Sequence, residues 1–247
     1  MKRIFSAAAF CLIMAVPAYA QVPDLSSLLP AGEGAATGRM VQMVALLTVL
    51  SLAPGLLIMV TSFIRFSVAF SFLRSGLGLQ TTPSNIVFIS LALFMTFYVM
   101  APTFDQAWKN GLQPLMENQI SETEAYEKVA APFKEFMLDH VRESDLALFN
   151  DLAASRMQGS EADDPNLVEM RVLIPSFMIS ELRRGFEIGF LVVLPFLVID
   201  LIVATLTMSM GMMMLPPTVI SLPFKVLFFV LLDGWNILVG GLVRSFF

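Results

Sequence analysis

The sequence predicts an all-α polytopic membrane protein, with four long apolar helical segments forming hairpins and a helical periplasmic insertion between segments two and three. Three observations predict it. Hydrophobic residues make up 57% of the 247 positions and charged residues only 14%, against about 45–50% and about 25% in soluble domains. The apolar residues gather in runs that meet the roughly 20 residues needed to cross a bilayer. The acids gather between the second and third runs. From Asp105 to Glu181 there are fifteen Asp or Glu against six Lys or Arg, a difference of −9.

Residues 1–20 read as a cleavable signal peptide. Met1-Lys2-Arg3 is a basic start, Ile4–Val16 a short apolar core, and Ala18-Tyr19-Ala20 a cleavage site behind Pro17. The core is too short to remain as a span. Cleavage after Ala20 puts Gln21 on the outer face of a bacterial inner membrane and moves the formal charge from −5 to −7. Residues 21–39, rich in Pro, Gly, Ser and Ala, form a flexible linker.

Residues 40–103 make the first helical hairpin. Its first span, Met40–Ile64, is broken at Pro54-Gly55 and followed by Arg65 and Arg74 as a cytoplasmic flank. Ser75–Pro83 is a turn, and the second span runs from Thr82-Pro83-Ser84-Asn85 to about Pro102. Residues 104–175 form the acidic periplasmic helical region. Ser121 with Glu124 three residues on resembles a capping box. Ala125, Val129, Phe133, Phe136, Met137 and Val141 then recur at near-helical spacing, with Pro132 expected to kink or divide the helix. Residues 176–247 make the second helical hairpin, its spans at Phe186–Met208 and Val219–Val243 joined by a Met-rich loop. Both mature termini then lie outside.

The composition excludes several functions. One Cys (Cys11, in the signal segment) and one His (His140) leave no Cys/His metal site and no His-based catalytic triad. No phosphate loop follows Gly76 and Gly78, and the acidic balance speaks against nucleic acid. The expected protein is no enzyme and has no cofactor.

Two features remain. Glu187, Asp200, Lys225 and Asp233 lie inside apolar segments, where an unpaired charge is expensive. They must pair with one another, face a wet interior, or sit at subunit contacts. The second feature is Met208–Lys225, with Met208, Met210, Met212, Met213 and Met214 ahead of a Pro216–Pro217 break. Flexible thioethers make a soft apolar surface. That surface fits ordinary core or lipid packing, a copper(I) site, or a compressible gasket lining a pore, with Gly211, Pro216 and Pro217 as loop breakers.

At these residues the sequence resembles the FliP family of flagellar export-gate proteins. The resemblance is carried by PSFMISELRRGFEIGF (Pro175–Phe190), GMMMLPP (Gly211–Pro217), LPFKVLFFVLLDGW (Leu222–Trp235), SLAPGLLIMVTSFIR (Ser51–Arg65) and LGLQTTPSN (Leu77–Asn85). Ser176, where the family more often has Ala, is a small departure. The resemblance implies a pore subunit of a type III protein export gate in the inner membrane and flagellar basal body. Its implied partners are FliQ and FliR-like subunits, further copies of itself in a pentamer-type ring, FlhA and FlhB-like components, unfolded export substrates and membrane lipid. It also implies that much of the apolar surface is raised above the bilayer plane. The gasket role falls on Met212, Met213 and Met214, and subunit-contact charges fall on Glu181 and Lys225. The expected partner of Lys225 is Glu181 of an adjacent subunit. The signal peptide favours the flagellar branch over the injectisome branch. A stand-alone ion or copper transporter is the competing class, although the two halves show no internal repeat.

Overall fold

The computed structural model describes residues 36–79, 83–157, 165–211 and 216–247. The chain divides into two compact units, Met1–Leu50 and Ser51–Phe247. The expected signal peptide, its Ala20 cleavage site and most of the linker lie outside the described residues.

Helix α1 covers Ala36–Met59 and runs through Pro54 without interruption. The expected break at Pro54-Gly55 falls instead at Val60–Ser62. An interior proline removes one backbone donor, and apolar helices tolerate this where other groups take up the freed carbonyl. Residues 41–48 of α1 are all exposed.

The second unit begins within α1, at Ser51, and continues into a helix not separated in the expected hairpin, α2 (Phe63–Leu77). At 15 residues it is about 22 Å long, too short to cross a bilayer. It is nonetheless the best-buried element: Phe66, Ala69, Phe70 and Leu73 are fully enclosed. It ends at Gly78, whose φ of 75° supplies the left-handed cap.

Helix α3 (Asn85–Ala107) continues past Pro102 into a π-helical turn, Trp108–Leu112, and a short α4 (Gln113–Met116). The second apolar segment is therefore a 32-residue stretch, Asn85–Met116, that absorbs the start of the expected acidic region. Gly111, in the π turn, admits α5: a Cβ there would lie 2.4 Å from Val129.

The acidic region forms α5 (Glu122–His140) and α6 (Glu143–Met157). The Ser121 cap is present, its Oγ accepting from the Glu124 N–H at 3.3 Å. Pro132 lies buried inside an undivided α5. Phe136 and Met137 join the hydrophobic core, so this region is more than a solvated loop.

Helix α7 (Pro165–Ser209) spans 45 residues and contains Pro175 and Pro195. It runs straight through position 175–176, where the sequence suggested a domain boundary. At 1.5 Å per residue it is about 67 Å long, more than twice the hydrocarbon thickness of about 30 Å. The expected last span is divided into α8 (Pro217–Leu231) and α9 (Gly234–Arg244), bent by 64°. Asp233 makes the bend with a φ of 51°. Gly234 allows it, because a Cβ there would sit 2.3 Å from the Phe229 ring.

Among the described residues the fold is all-α. Three helical stretches are long and apolar enough to cross a membrane, or four if the bent pair counts as one.

Candidate functional site

The site grows from the contact of α2 with α7. A Cβ built on Gly185 would lie 3.0 Å from Val68 Cβ, and one on Gly189 would lie 2.7 Å from the Phe72 ring. One on Gly76 would lie 2.9 Å from Val193 Cγ2. These pairs advance together by four residues on both helices, so α2 and α7 run parallel. Gly185 and Gly189 form a small-xxx-small pattern of the kind that lets helix backbones approach closely.

A buried cation is pinned near each end of this contact. At the start of α2, the guanidinium of Arg65 grips Glu181 of α7 through two parallel bonds. Nε donates to Oε2 at 2.9 Å and Nη2 donates to Oε1. Both side chains are fully buried. Nη1 donates to the carbonyl oxygen of Ser245 at 2.9 Å and to its hydroxyl at 2.8 Å. The guanidinium carbon lies 3.6 Å from the centre of the Phe246 ring. Burial pushes the Arg65 pKa down from its ordinary value, and the hydrogen bond and charge of Glu181 oppose that. The geometry is that of a charge-assisted bidentate pair.

At the other end, Lys225 of α8 donates from Nζ to Asp200 Oδ2 at 2.6 Å and to the Gly76 carbonyl at 2.9 Å. Ser221 donates to the second Asp200 oxygen at 2.6 Å. Gly76 O is one of the last carbonyls of α2, which have no partner within their own helix. The Arg74 and Ser75 carbonyls are met by Gly78 N–H; Lys225 meets the next one. A cation at a helix C-terminus is also favoured by the macrodipole.

The two arrangements share one plan. Each cation takes an acid from α7 and closes the carbonyl end of another helix: Arg65 closes α9, and Lys225 closes α2. Helices α2 and α7 are thereby tied at two levels, with α9 joined at one and α8 at the other. His140 adds a strap from α5, its Nδ1 2.7 Å from the Phe136 carbonyl and its Nε2 3.3 Å from the Phe246 carbonyl. From α6, Asp145 accepts from Ser180 of α7 at 2.8 Å.

The expected pairing of Lys225 with Glu181 of an adjacent subunit concerns a contact between chains; within this chain the two residues have other partners. Glu181 is taken by Arg65, and Lys225 by Asp200. The two acids are nineteen positions apart on α7, about 28 Å along its axis, so each meets a different cation. Glu187 is exposed, and Asp233 occupies the α8–α9 bend, holding Asn236 Nδ2 at 3.1 Å.

The Met-rich turn follows α7. Met208 and Met210 are exposed, and Gly211 leaves the helix with a φ of 72°. Met212, Met213 and Met214 lie outside the described residues. Pro216 is extended, and Pro217 takes the first position of α8, where a missing N–H does no harm. An apolar groove of about 440 Å³ lies beside the turn, lined by Ile199, Ile202, Leu206, Met210, Ile220 and Phe224. Among the described residues no three His, Cys, Asp or Glu side chains cluster as a metal site.

The sequence pattern of the FliP family matches residues 46–242, which include both ion pairs and the Met-rich turn. The chain belongs to the FliP family. It is 64% identical over 214 residues to the flagellar biosynthetic protein FliP of Rhizobium meliloti, covering 87% of this chain and 86% of the relative. The Caulobacter vibrioides FliP is 52% identical over 241 residues, 97% and 88% of the two chains. The Bacillus subtilis FliP is 52% identical over 206 residues, 83% and 91%. Family membership makes the chain a membrane-associated component of the flagellar export apparatus.

Four features of this site are not read from the sequence: Arg65 as the partner of Glu181, the Ser245–Phe246 cap, the role of His140, and the glycine pair. Only the last had a visible signal, GFEIG at Gly185–Gly189.

Proposed function

We propose that the chain is a pore-forming subunit of the flagellar type III export gate. It acts with further copies of itself in a pentamer-type ring and with FliQ and FliR-like subunits. FlhA and FlhB-like components would deliver unfolded rod, hook and filament proteins to this pore in the inner membrane. The acidic helices α5 and α6 face the periplasm.

One observation carries the reading beyond family membership. Exposed apolar side chains continue along α7 from Ile179 and Leu182, through Phe186, Leu194 and Leu201, to Met210. That stripe is about 46 Å long, against about 30 Å of hydrocarbon. Fitting it inside a bilayer needs a tilt of about 50°, beyond the usual range of up to 40°. A stripe of this length, interrupted by exposed Arg183 and Glu187 near its start, supports partial covering by neighbouring protein, as in a multi-subunit channel raised from the bilayer. Glu181 and Lys225 serve that assembly from inside the subunit, by holding the helices whose outer faces meet the neighbours. No observation favours a stand-alone copper or ion transporter.

The tagged protein, purified in mild detergent, should run as a large hetero-oligomer containing FliQ and FliR-like chains. A monomer or dimer overturns the reading. Within the complex, Met212, Met213 and Met214 form the seal, since thioethers re-pack around a moving chain and an apolar constriction blocks ions by dewetting. Replacing all three with Ala should leave assembly intact and raise ion leakage across reconstituted vesicles. Unchanged leakage places the seal elsewhere.

A further inference from the structure

We infer that the α2–α7 contact is a fixed rail that keeps its register while a substrate passes, with Gly185 and Gly189 as the positioning residues that set it. The inference rests on the export-gate reading and deepens it, because it says which part of the subunit does not move.

The rail has three rungs: Val68 at Gly185, Phe72 at Gly189, and Gly76 at Val193. Large and small exchange sides along it. Helix α2 presents Val, Phe, Gly, and α7 presents Gly, Gly, Val. This order makes the register unique. Advancing α2 by one turn along α7, about 5.4 Å, sets Phe72 against Val193, where no glycine receives the ring. Moving it back one turn sets Gly76 against Gly189 and leaves a void in place of the Phe72 ring. Either slide also pulls Arg65 from Glu181 and the Gly76 carbonyl from Lys225, because both clamps depend on where α2 lies along α7. Packed interfaces shift between discrete arrangements rather than deforming smoothly, and here neither adjacent arrangement is occupied well. Gating motion must then lie off the rail, in segments that no such clamp holds.

Two experiments on the full-length chain in cells test this. In the first, Gly189→Ala places a methyl against the Phe72 ring. Overpacking of this kind should lower accumulated protein by roughly ten-fold. A Gly189→Ala variant that accumulates normally overturns the rung. In the second, Val68→Cys and Gly185→Cys are combined in a Cys11→Ser background. The two Cβ positions are 3.0 Å apart, about 0.5 Å short of the usual disulfide range. Oxidation should cross-link the pair, and export of a flagellar substrate should be the same before and after. Failure to cross-link in accumulated protein overturns the contact. Export that stops on oxidation and returns on reduction overturns the fixed rail. Failure of the export-gate reading is separate: it shows as normal export in cells lacking the chain, whereas accumulation and cross-linking report on the rail in either case.

Discussion

Arg65 and Lys225 meet the same problem at opposite ends of α2 and solve it with different margins. Arg65 and Glu181 are both fully buried, joined by a planar fork, and covered by Phe246. Lys225 is 5% exposed, but its partner Asp200 is 32% exposed and shares its oxygens with Ser221. If the first pair is broken, Glu181 meets no water and Arg65 keeps only the Ser245 oxygens and the Phe246 ring. The second has an acid that reaches the surface of the subunit. Burial, more than the presence of an ion pair, sets how much depends on each. An exposed pair contributes about 0–1 kcal/mol, whereas removing one partner of a buried pair strands a charge and costs about 3–5 kcal/mol.

The largest expected effect is therefore at Arg65–Glu181. Glu181→Ala leaves the guanidinium buried with only the Ser245 oxygens and the Phe246 ring. It should destabilise the subunit by about 3–5 kcal/mol, read as a lower melting temperature of the detergent-purified protein and a loss of accumulated chain. Glu181→Gln keeps the shape and one acceptor, and should lie between wild type and Ala. If Glu181→Ala melts with the wild type, the pair is not what holds α2 to α7.

Lys225→Ala should have the smaller effect of the two, about 1–3 kcal/mol, because Asp200 is left partly exposed rather than sealed. The intrachain pairing also has its own signature. Combining Lys225→Asp with Asp200→Lys should recover stability relative to either single change. Combining Lys225→Glu with Glu181→Lys should not, since Glu181→Lys faces Arg65 and adds like charge. Recovery in the second combination and not the first would return Lys225 to Glu181 and discard the pairing described above.

These contrasts show what could be read from the sequence and what could not. Apolar length is a local property, so the four segments were visible as runs. The family resemblance, carried by contiguous stretches such as GMMMLPP, was equally local. Helix α2 was missed because Arg65 and Arg74 look like the basic flank of a span, and nothing in a single run says that Arg65 turns inward. The pairing of charges was missed for a related reason. Arg65 and Glu181 are 116 positions apart, and their meeting depends on the register of two helices. That register is written in Gly185 and Gly189, but only against the side chains opposite them. Prolines misled in a consistent direction: Pro54 and Pro132 both sit inside continuous helices. A proline lowers local helix stability without dictating an end when packing holds both sides.

The smallest expected effect tests whether damage outside the clamps stays local. Ser121 caps α5 through its hydroxyl alone, on an exposed turn, and α5 reaches the clamps only at its far end, through His140 and Phe246. Loss of such a cap costs about 1 kcal/mol, and that loss falls on the first turn, whose N–H groups lose their acceptor. Ser121→Ala should therefore raise hydrogen exchange at residues 122–124 and leave exchange in α2 unchanged, while Ser121→Asp should restore protection. The α5 strap is one long helix with Phe136 and Met137 fixed in the core, so fraying of its first turn has some four turns of helix to cross before it meets Phe136. Exchange that rises in α2 as well would mean that the acidic helices and the clamped rail open as one cooperative unit. The separation between a tightly pinned α2–α7 core and a more loosely held outer region would then fail.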